Sequence, residues 1–324
     1  MAREGPRVPW TLVHADGTAA EGVDIAEVET RLASGEHFWL DIGHPEAGEL
    51  EALAEKLALH RLARDDLGVY GQRPKADDYP GHTLLVLFGA THDEDTLVEV
   101  HAVVAEAWLL TVHTEACPAF IDLRKRTMLG GPLPSTAVLM NRTADALADS
   151  FYPELERLDD RVDELEHLVL GDSEEDLLSE VLGLRRQLVV MRRVLGPQRD
   201  VVARLAAGTI ELPGADAETR LGFRAAQDEL FRVTELIEAQ RDLLTGALEV
   251  HLSTVSNRLN EVMRRLAAVS TVFLPITFLS GFFGQNFAYM VSNVDSGAAF
   301  VLGTLLELAV AVGVVVYLRI RRWI

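Results

Sequence analysis

The sequence has one cysteine, Cys117, and few basic residues for its length. A single thiol excludes a disulfide framework within the chain and a zinc site built from several thiolates, and it fits a reducing compartment. Lys and Arg total 30 against 50 Asp and Glu, which gives a formal net charge of −20. This charge repels phosphate backbones, and we find no basic patch to offset it, so nucleic acid is not an expected partner.

Familiar catalytic motifs are also missing, and the start of the sequence does not predict a leader. We find no Walker phosphate loop, no HExxH motif and no nucleophile elbow, so the sequence does not predict an enzyme. The N-terminal residues MAREGPRVPW are followed by no apolar run, and we therefore expect no signal peptide.

Long apolar runs are concentrated in the last sixty residues. Residues 266–283 contain no Asp, Glu, Lys or Arg, and residues 297–318 contain one, Glu307. Each run is long enough to cross a bilayer core, so we predict transmembrane segments at 266–283 and 297–318. A buried hairpin of a soluble protein is the alternative interpretation.

Arginines flank the outer ends of this hairpin, whereas the connecting residues 284–296 contain no Lys or Arg. The flanking residues are Arg264, Arg265, Arg319, Arg321 and Arg322. The positive-inside rule then places the N- and C-termini in the cytoplasm and the short loop outside, as in a multi-pass protein of the cytoplasmic membrane.

The rest of the chain divides into two regions by its hydrophobic pattern. Residues 1–150 mix short apolar runs with an amphipathic stretch at 48–59, which predicts a cytosolic α/β domain with a β-hairpin around 91–96. Residues 151–265 are dominated by helix formers. No proline occurs from about Ala217 until Pro275, so one helix of roughly 65 residues, or about 100 Å, can run into the first span. Residues 266–324 form the transmembrane hairpin and a basic C-terminal tail.

Small and polar residues recur along this long helix in steps of four and three, and we call this set the polar stripe. Its mean spacing of 3.5 keeps it on one face of supercoiled helices. Hydroxyls in a span can also bond to their own backbone or help helices pack. Several copies around an axis would line a channel with apolar rings at Met263 and Leu274 that can gate by dewetting. The stripe comprises Glu249, Ser253, Ser256, Asn260, Met263, Ala267, Ser270, Leu274, Thr277 and Gly281, with Gly284 just beyond.

The first span ends in the segment SGFFGQNFAYM at 280–290. Gly284 permits a tight helix exit, and Asn286 offers a carbonyl oxygen at the outer mouth. Hard cations such as Mg²⁺ prefer oxygen ligands and give up water reluctantly, so a neutral oxygen ring suits a hydrated ion. GxN alone is a weak motif that more often marks a helix stop.

Longer segments resemble the CorA type of divalent-cation transporter over essentially the whole chain. They are SNRLNEVMRRLAAVSTVFLPITFLSGFFGQNF at 256–287, FWLDIGHPEAGELEALAEKLALHRLARDD with GQRPKADDY between 38 and 79, and LRRQLVVMRRVLGPQRDV at 184–201. The resemblance implies a funnel-shaped homopentamer with cytosolic α/β domains, long stalk helices and two transmembrane helices per subunit. It also implies channel-like uptake of Mg²⁺, with Co²⁺ or Ni²⁺ tolerated.

Site residues follow from the resemblance by position. Asn286 would form the outer selectivity filter together with Gly284 and Gln285, and Glu249 would bind regulatory intracellular Mg²⁺ that closes the pore. The pore-lining residues would be Asn260, Met263, Ser270, Leu274, Thr277 and Gly281.

Two departures keep other functions open. The family motif usually has Met where this chain has Gln285, and the loop after it has lost most of its acids. The related ZntB branch moves Zn²⁺ and varies this middle residue. If such transport is proton-coupled, Glu307 is a candidate proton carrier, because a carboxylate within a span is costly and needs a reason. A membrane-anchored sensor or scaffold that does not transport is the third possibility.

Overall fold

The short apolar runs of the N-terminal region form a single mixed β-sheet. The computed structural model describes residues 10–91, 97–115, 117–169, 177–285, 291–292 and 296–321. The chain divides into two compact units, residues 1–247 and 248–324. The first unit contains seven strands, β1 Thr11–His14, β2 Ala19–Glu21, β3 Phe38–Gly43, β4 Lys75–Tyr79, β5 His82–Ala90, β6 Leu97–Ala105 and β7 Trp108–His113.

The strand order is β2-β1-β3-β7-β6-β5-β4, and β3 and β7 form a parallel pair among antiparallel neighbours. The hairpin predicted around 91–96 is confirmed, because β5 pairs with β6 from His82 opposite Ala105 to Ala90 opposite Leu97. Residues 92–96 of its turn lie outside the described residues. The parallel register places Asp41 opposite Thr111, which determines the buried polar cluster described below.

Helices cover both faces of the sheet. In β3, Leu40 and Ile42 pack with the helices that precede β4, whereas Trp39 packs on the opposite face with Phe120 and later helices. Strands buried on both faces read as continuous apolar runs rather than as alternating ones, which explains FWLDI and TLLVLFGA. The helices of this unit are α1 Ile25–Ser34, α2 Ala47–Lys56, α3 Arg61–Leu67, α4 Pro118–Leu129, α5 Thr136–Asp149, α6 Phe151–Val169 and α7 Leu177–Ala206.

The predicted long helix is present as α8, Ala217–Phe283, with 67 residues. It begins after Asp216, whose carboxylate accepts bonds from the backbone N–H and the hydroxyl of Thr219, both at 2.7 Å. Pro275 lies inside the helix and has no N–H to donate to the carbonyl of Thr271. The helix therefore continues from the first unit into the predicted first span, with one weak point near its outer end.

The second predicted span is helix α9, Gly297–Ile320. Its first turn is capped by Ser296, whose hydroxyl accepts a hydrogen bond from the N–H of Ala299 at 3.2 Å. Both α8 and α9 are long and apolar enough to cross a membrane. These features confirm the predicted architecture of an α/β domain, a long helix and two candidate spans.

Candidate functional site

The polar stripe lies on a face of α8 that the second span does not cover. Within unit 248–324, the less exposed residues of the first span recur at helical spacing, and they are Ala268, Val272, Pro275, Ile276 and Leu279. Ser270, Thr277 and Gly281 are exposed and lie two positions from members of that set. Two positions correspond to about 200° around a helix, so these stripe residues lie opposite the half-buried side of the first span.

The hydroxyls of the stripe are not used in bonds to their own helix. Thr271, beside the stripe, donates its hydroxyl to the carbonyl of Ala267 at 2.7 Å, and Thr304 of α9 does the same to Phe300 at 3.0 Å. Among the hydrogen bonds of the described spans, neither Ser270 nor Thr277 takes part through its side chain. Their oxygens are therefore available to water or an ion on the open face of the helix.

Two apolar side chains and one amide continue the stripe. Met263 is 64% exposed and Leu274 is 75% exposed in the single chain, and Asn260 is exposed as well. Other apolar side chains of the spans are equally exposed, as expected of residues that face lipid, so exposure alone does not assign a role to these two. In an assembly around an axis, Met263 and Leu274 would form apolar rings between the polar positions.

The outer end of α8 closes at Gly284. Its N–H donates to the carbonyl of Ser280 at 2.9 Å, and the N–H of Gln285 donates to Phe282 at 3.3 Å. Gly284 does not adopt a positive φ, so the expected tight exit does not depend on a left-handed residue. A Cβ at this position would lie 3.1 Å from the Ser280 carbonyl oxygen, so a larger residue would require a small local shift. Asn286 lies outside the described residues.

The predicted regulatory residue Glu249 is exposed on α8. Within the described part of the chain, no group of three or more His, Cys, Asp or Glu residues is arranged to hold a metal ion. A metal bound at Glu249 would therefore need ligands beyond those that one chain brings together here. A site between subunits meets that requirement.

Glu307 contacts a residue that the sequence analysis did not single out. Its Oε1 accepts a hydrogen bond from Ser280 Oγ at 2.8 Å. Glu307 lies near the middle of α9, but Ser280 lies three residues before α8 ends at Phe283. The carboxyl is thus level with the outer end of the first span. The cost of a carboxylate in a span signalled that Glu307 needs a partner, although it did not identify Ser280.

The first unit, residues 1–247, contains a buried charged cluster that sequence reasoning also missed. Asp41 Oδ1 accepts a hydrogen bond from the Thr111 hydroxyl at 2.7 Å and lies 3.3 Å from His113 Nε2, while Arg124 lies 3.2 Å from Asp41 Oδ2. Burial opposes ionisation of Asp41, but His113, Thr111 and Arg124 outweigh it and lower the pKa of this carboxyl. Burial likewise opposes protonation of His113, yet Asp41 raises the pKa of that imidazole overall.

This combination of features defines a class of protein. An α/β domain is followed by a helix that continues into a candidate span with polar residues on one exposed face, and a second apolar helix follows. A polar face of this kind, repeated around an axis, is an arrangement that lines channels for small solutes or ions.

The chain belongs to the family of CorA-like Mg²⁺ transporter proteins, whose model matches residues 34–322. It is 29% identical over 310 residues to the cobalt/magnesium transport protein CorA of Thermotoga maritima, which covers 93% of this chain and 87% of that protein. It is 27% identical over 293 residues to the zinc transport protein ZntB of Yersinia enterocolitica, covering 88% of this chain and 86% of that one.

The fold agrees with a solved relative. The complete structure of the CorA magnesium transporter from Methanocaldococcus jannaschii matches 99% of this chain and 100% of that chain, with a TM-score of 0.85 and 21% identity. The resemblance drawn from the sequence is therefore confirmed, and the chain is a divalent metal-ion transporter of this family, not an enzyme.

Proposed function

We propose that this protein is a Mg²⁺ channel of the cytoplasmic membrane that also admits Co²⁺ or Ni²⁺. Five copies would place their α8 helices around a common axis, with both termini of each chain in the cytoplasm. The observation that carries the proposal is that Ser270, Thr277 and Gly281 are exposed and lie opposite the half-buried side of the first span, where they would line a central path. The arginines at the inner ends of both spans support this orientation in the membrane.

The filter is proposed at the outer end of α8. A ring of Asn286 side chains would contact the hydrated ion, while Gly284 contributes backbone oxygen and Gln285 a further amide. Neutral oxygens attract a divalent ion without the tight chelation that a ring of carboxylates would impose, so the ion can leave again. Below the filter, the Thr277 and Ser270 hydroxyls would replace part of the hydrogen bonding that bulk water gives the hydrated ion.

Flux into liposomes tests the ion and the filter together. We expect the full-length protein to admit Mg²⁺ under an inside-negative potential, recorded with an enclosed Mg²⁺-sensitive dye. Asn286→Leu keeps a similar side-chain volume but removes the amide, and we expect it to lower Mg²⁺ flux about tenfold. Asn293→Leu, in the same loop but outside the motif, is the matched control. Equal flux in the two variants would contradict the filter.

Zinc is the second candidate ion, favoured by the similarity to ZntB proteins and by Gln285 in the motif. In that case Zn²⁺ influx should exceed Mg²⁺ influx in the same liposomes and rise with an inward proton gradient. Glu307 would be the proton carrier, and Glu307→Gln should remove the dependence on the gradient while leaving the protein assembled. Zn²⁺ influx that does not respond to the gradient in the parent protein would exclude the proton-carrier role.

Intracellular Mg²⁺ is proposed to close the pore by binding between subunits, with Glu249 among its ligands. Five chains of −20 each would carry −100, so cations concentrate around the cytosolic part and their loss leaves repulsion between subunits. A bound ion then shifts the population toward the closed state in proportion to its preference for that state.

Limited proteolysis tests this closure. We expect millimolar Mg²⁺ to slow digestion of the detergent-solubilised protein, and Glu249→Gln to require several times more Mg²⁺ for the same protection because one ligand loses its charge. Glu218→Gln, an exposed acid in the first turn of the same helix, is the control and should behave as the parent. Identical digestion with and without the ion would refute the mechanism.

A further inference from the structure

One side-chain hydrogen bond joins the two spans. Among the described residues of 266–283 and 297–320, Ser280 Oγ donates to Glu307 Oε1 at 2.8 Å, whereas Thr271 and Thr304 bond to carbonyls of their own helices. Ser280 lies beside Gly281 of the polar stripe and one turn before Gly284. The bond therefore connects α9 to the part of α8 that leads into the proposed filter.

The two buried apolar residues of the described spans lie at the other end. In the described part of unit 248–324, the hydrophobic residues less than a tenth exposed are Ala268 at 4% and Leu318 at 2%. Ala268 lies at the start of the first span and Leu318 near the end of α9, so both are at the cytoplasmic side. At the outer end of the described spans, no apolar residue is buried to this degree, although Ile276 and Leu279 are half-buried, and the Ser280–Glu307 bond adds a polar contact with α9.

Pro275 separates these two ends of the first span. Because it cannot donate to the Thr271 carbonyl, α8 bends or rotates more easily there than elsewhere. Residues 276–283 thus form a short outer segment. Because the helix is weaker at Pro275, contacts with neighbouring residues have a larger influence on the direction of this segment. The side-chain hydrogen bond between this segment and α9 is the one from Ser280 to Glu307.

We propose that Ser280 and Glu307 are positioning residues for ion entry. Their hydrogen bond fixes the rotation of the outer segment, so that Thr277 and Gly281 face away from α9 and Gly284 stays at the entrance. This explains why a carboxyl group is placed in an otherwise uncharged span despite its cost. The inference rests on the proposed Mg²⁺ transport, because it assigns these residues a role in the same path.

Mg²⁺ flux into liposomes at varied external concentration tests the proposal on the full-length protein. Ser280→Ala and Glu307→Leu each remove the bond, and we expect either to raise the half-saturating Mg²⁺ concentration about threefold to tenfold, the range expected of a hydrogen bond between membrane helices. The double variant should show no further increase, since one bond is lost in all three. Ser280→Thr and Glu307→Gln keep a donor and an acceptor, and they should restore values close to the parent.

The controls separate positioning from folding. Thr304→Val removes a hydroxyl one turn from Glu307 that bonds within α9, and it should leave the half-saturating concentration unchanged. Size-exclusion chromatography identifies any variant that does not assemble. If Glu307→Leu fails to assemble, the half-saturating concentration of Ser280→Ala, the smallest change, tests the proposal. A lower maximal flux at unchanged half-saturation would indicate fewer folded channels and overturn the positioning role. The positioning role would also be overturned if Glu307→Gln raised the half-saturating Mg²⁺ concentration as much as Glu307→Leu. Ion entry would then require the charge of Glu307 and not an acceptor oxygen. A parent protein that admits no Mg²⁺ would instead refute the proposed function.

Discussion

A cysteine introduced at Thr277 is expected to react with a membrane-impermeant methanethiosulfonate reagent and to lose nearly all Mg²⁺ flux, by about tenfold or more, because the added group would occupy the ion path. Cysteine at Leu279 should not react. The two positions are two residues apart, hence within about 3 Å in depth, but about 200° apart around α8. Thr277 is exposed, and Leu279 lies on the half-buried side of the first span.

The native thiol does not complicate this experiment. Cys117 is 2% exposed, and burial raises the pKa of its thiol to about 12, so the reactive thiolate is scarce at neutral pH. The parent protein is therefore a suitable background without removal of that residue. If the reagent blocks Leu279→Cys and spares Thr277→Cys, the polar stripe faces the wrong way and the proposed pore is wrong.

The substitution Asp41→Asn should weaken the cytosolic domain by about 3 kcal/mol, because His113 and Arg124 would lose a buried counter-charge. Hydrogen exchange of peptides covering β3 and β7 measures this in the intact protein. For amides that exchange only when these strands unfold, a loss of about 3 kcal/mol in the free energy of unfolding lowers the protection factor about a hundredfold. Asp200→Asn removes the same charge from an exposed side chain that pairs with its neighbour Arg199, and it should change protection little.

The pH dependence of this protection follows from the same cluster. The pKa of Asp41 is lowered in the folded state, so its contribution is present above about pH 4 and is lost as the pH falls through the folded value. The pKa of His113 is raised, so its contribution is present below about pH 6.5 and is lost as the pH rises through the folded value. Protection of the parent relative to Asp41→Asn should be greatest between these limits. An equal difference at every pH would contradict the coupling of the two groups.

The sequence predicted the large elements because long, uninterrupted patterns encode them. The absence of charged residues over 266–283 predicts a span independently of the rest of the chain. The lack of proline between Ala217 and Pro275 permits a continuous helix. The hairpin of β5 and β6 was also predictable, since two apolar strands flank a short polar turn. The 3.5-residue spacing of the polar stripe selected candidate residues, but it could not show which side of α8 its own second span would cover.

Contacts between distant residues were not predictable in this way. Asp41, Thr111 and Arg124 meet only because β3 and β7 pair in parallel in one register, and no local pattern specifies that pairing. Ser280 is one of several hydroxyl residues in the first span, and its link to Glu307 depends on how far α9 is shifted along α8. For both Asp41 and Glu307, the free-energy cost of removing a carboxylate from water indicates that a partner is present. It does not indicate which residue the partner is.

That shift along the helix axes also determines how deep the ion entrance lies. Glu307 is ten residues after Gly297, where α9 begins, while its partner Ser280 is three residues before Phe283, where α8 ends. At 1.5 Å per residue, α9 rises roughly 10 Å beyond α8 on the outer side. In the proposed pentamer, the first turns of α9 would therefore surround a recess with Gly284 at its floor. A hydrated cation would enter that recess before it meets the proposed ring of amides.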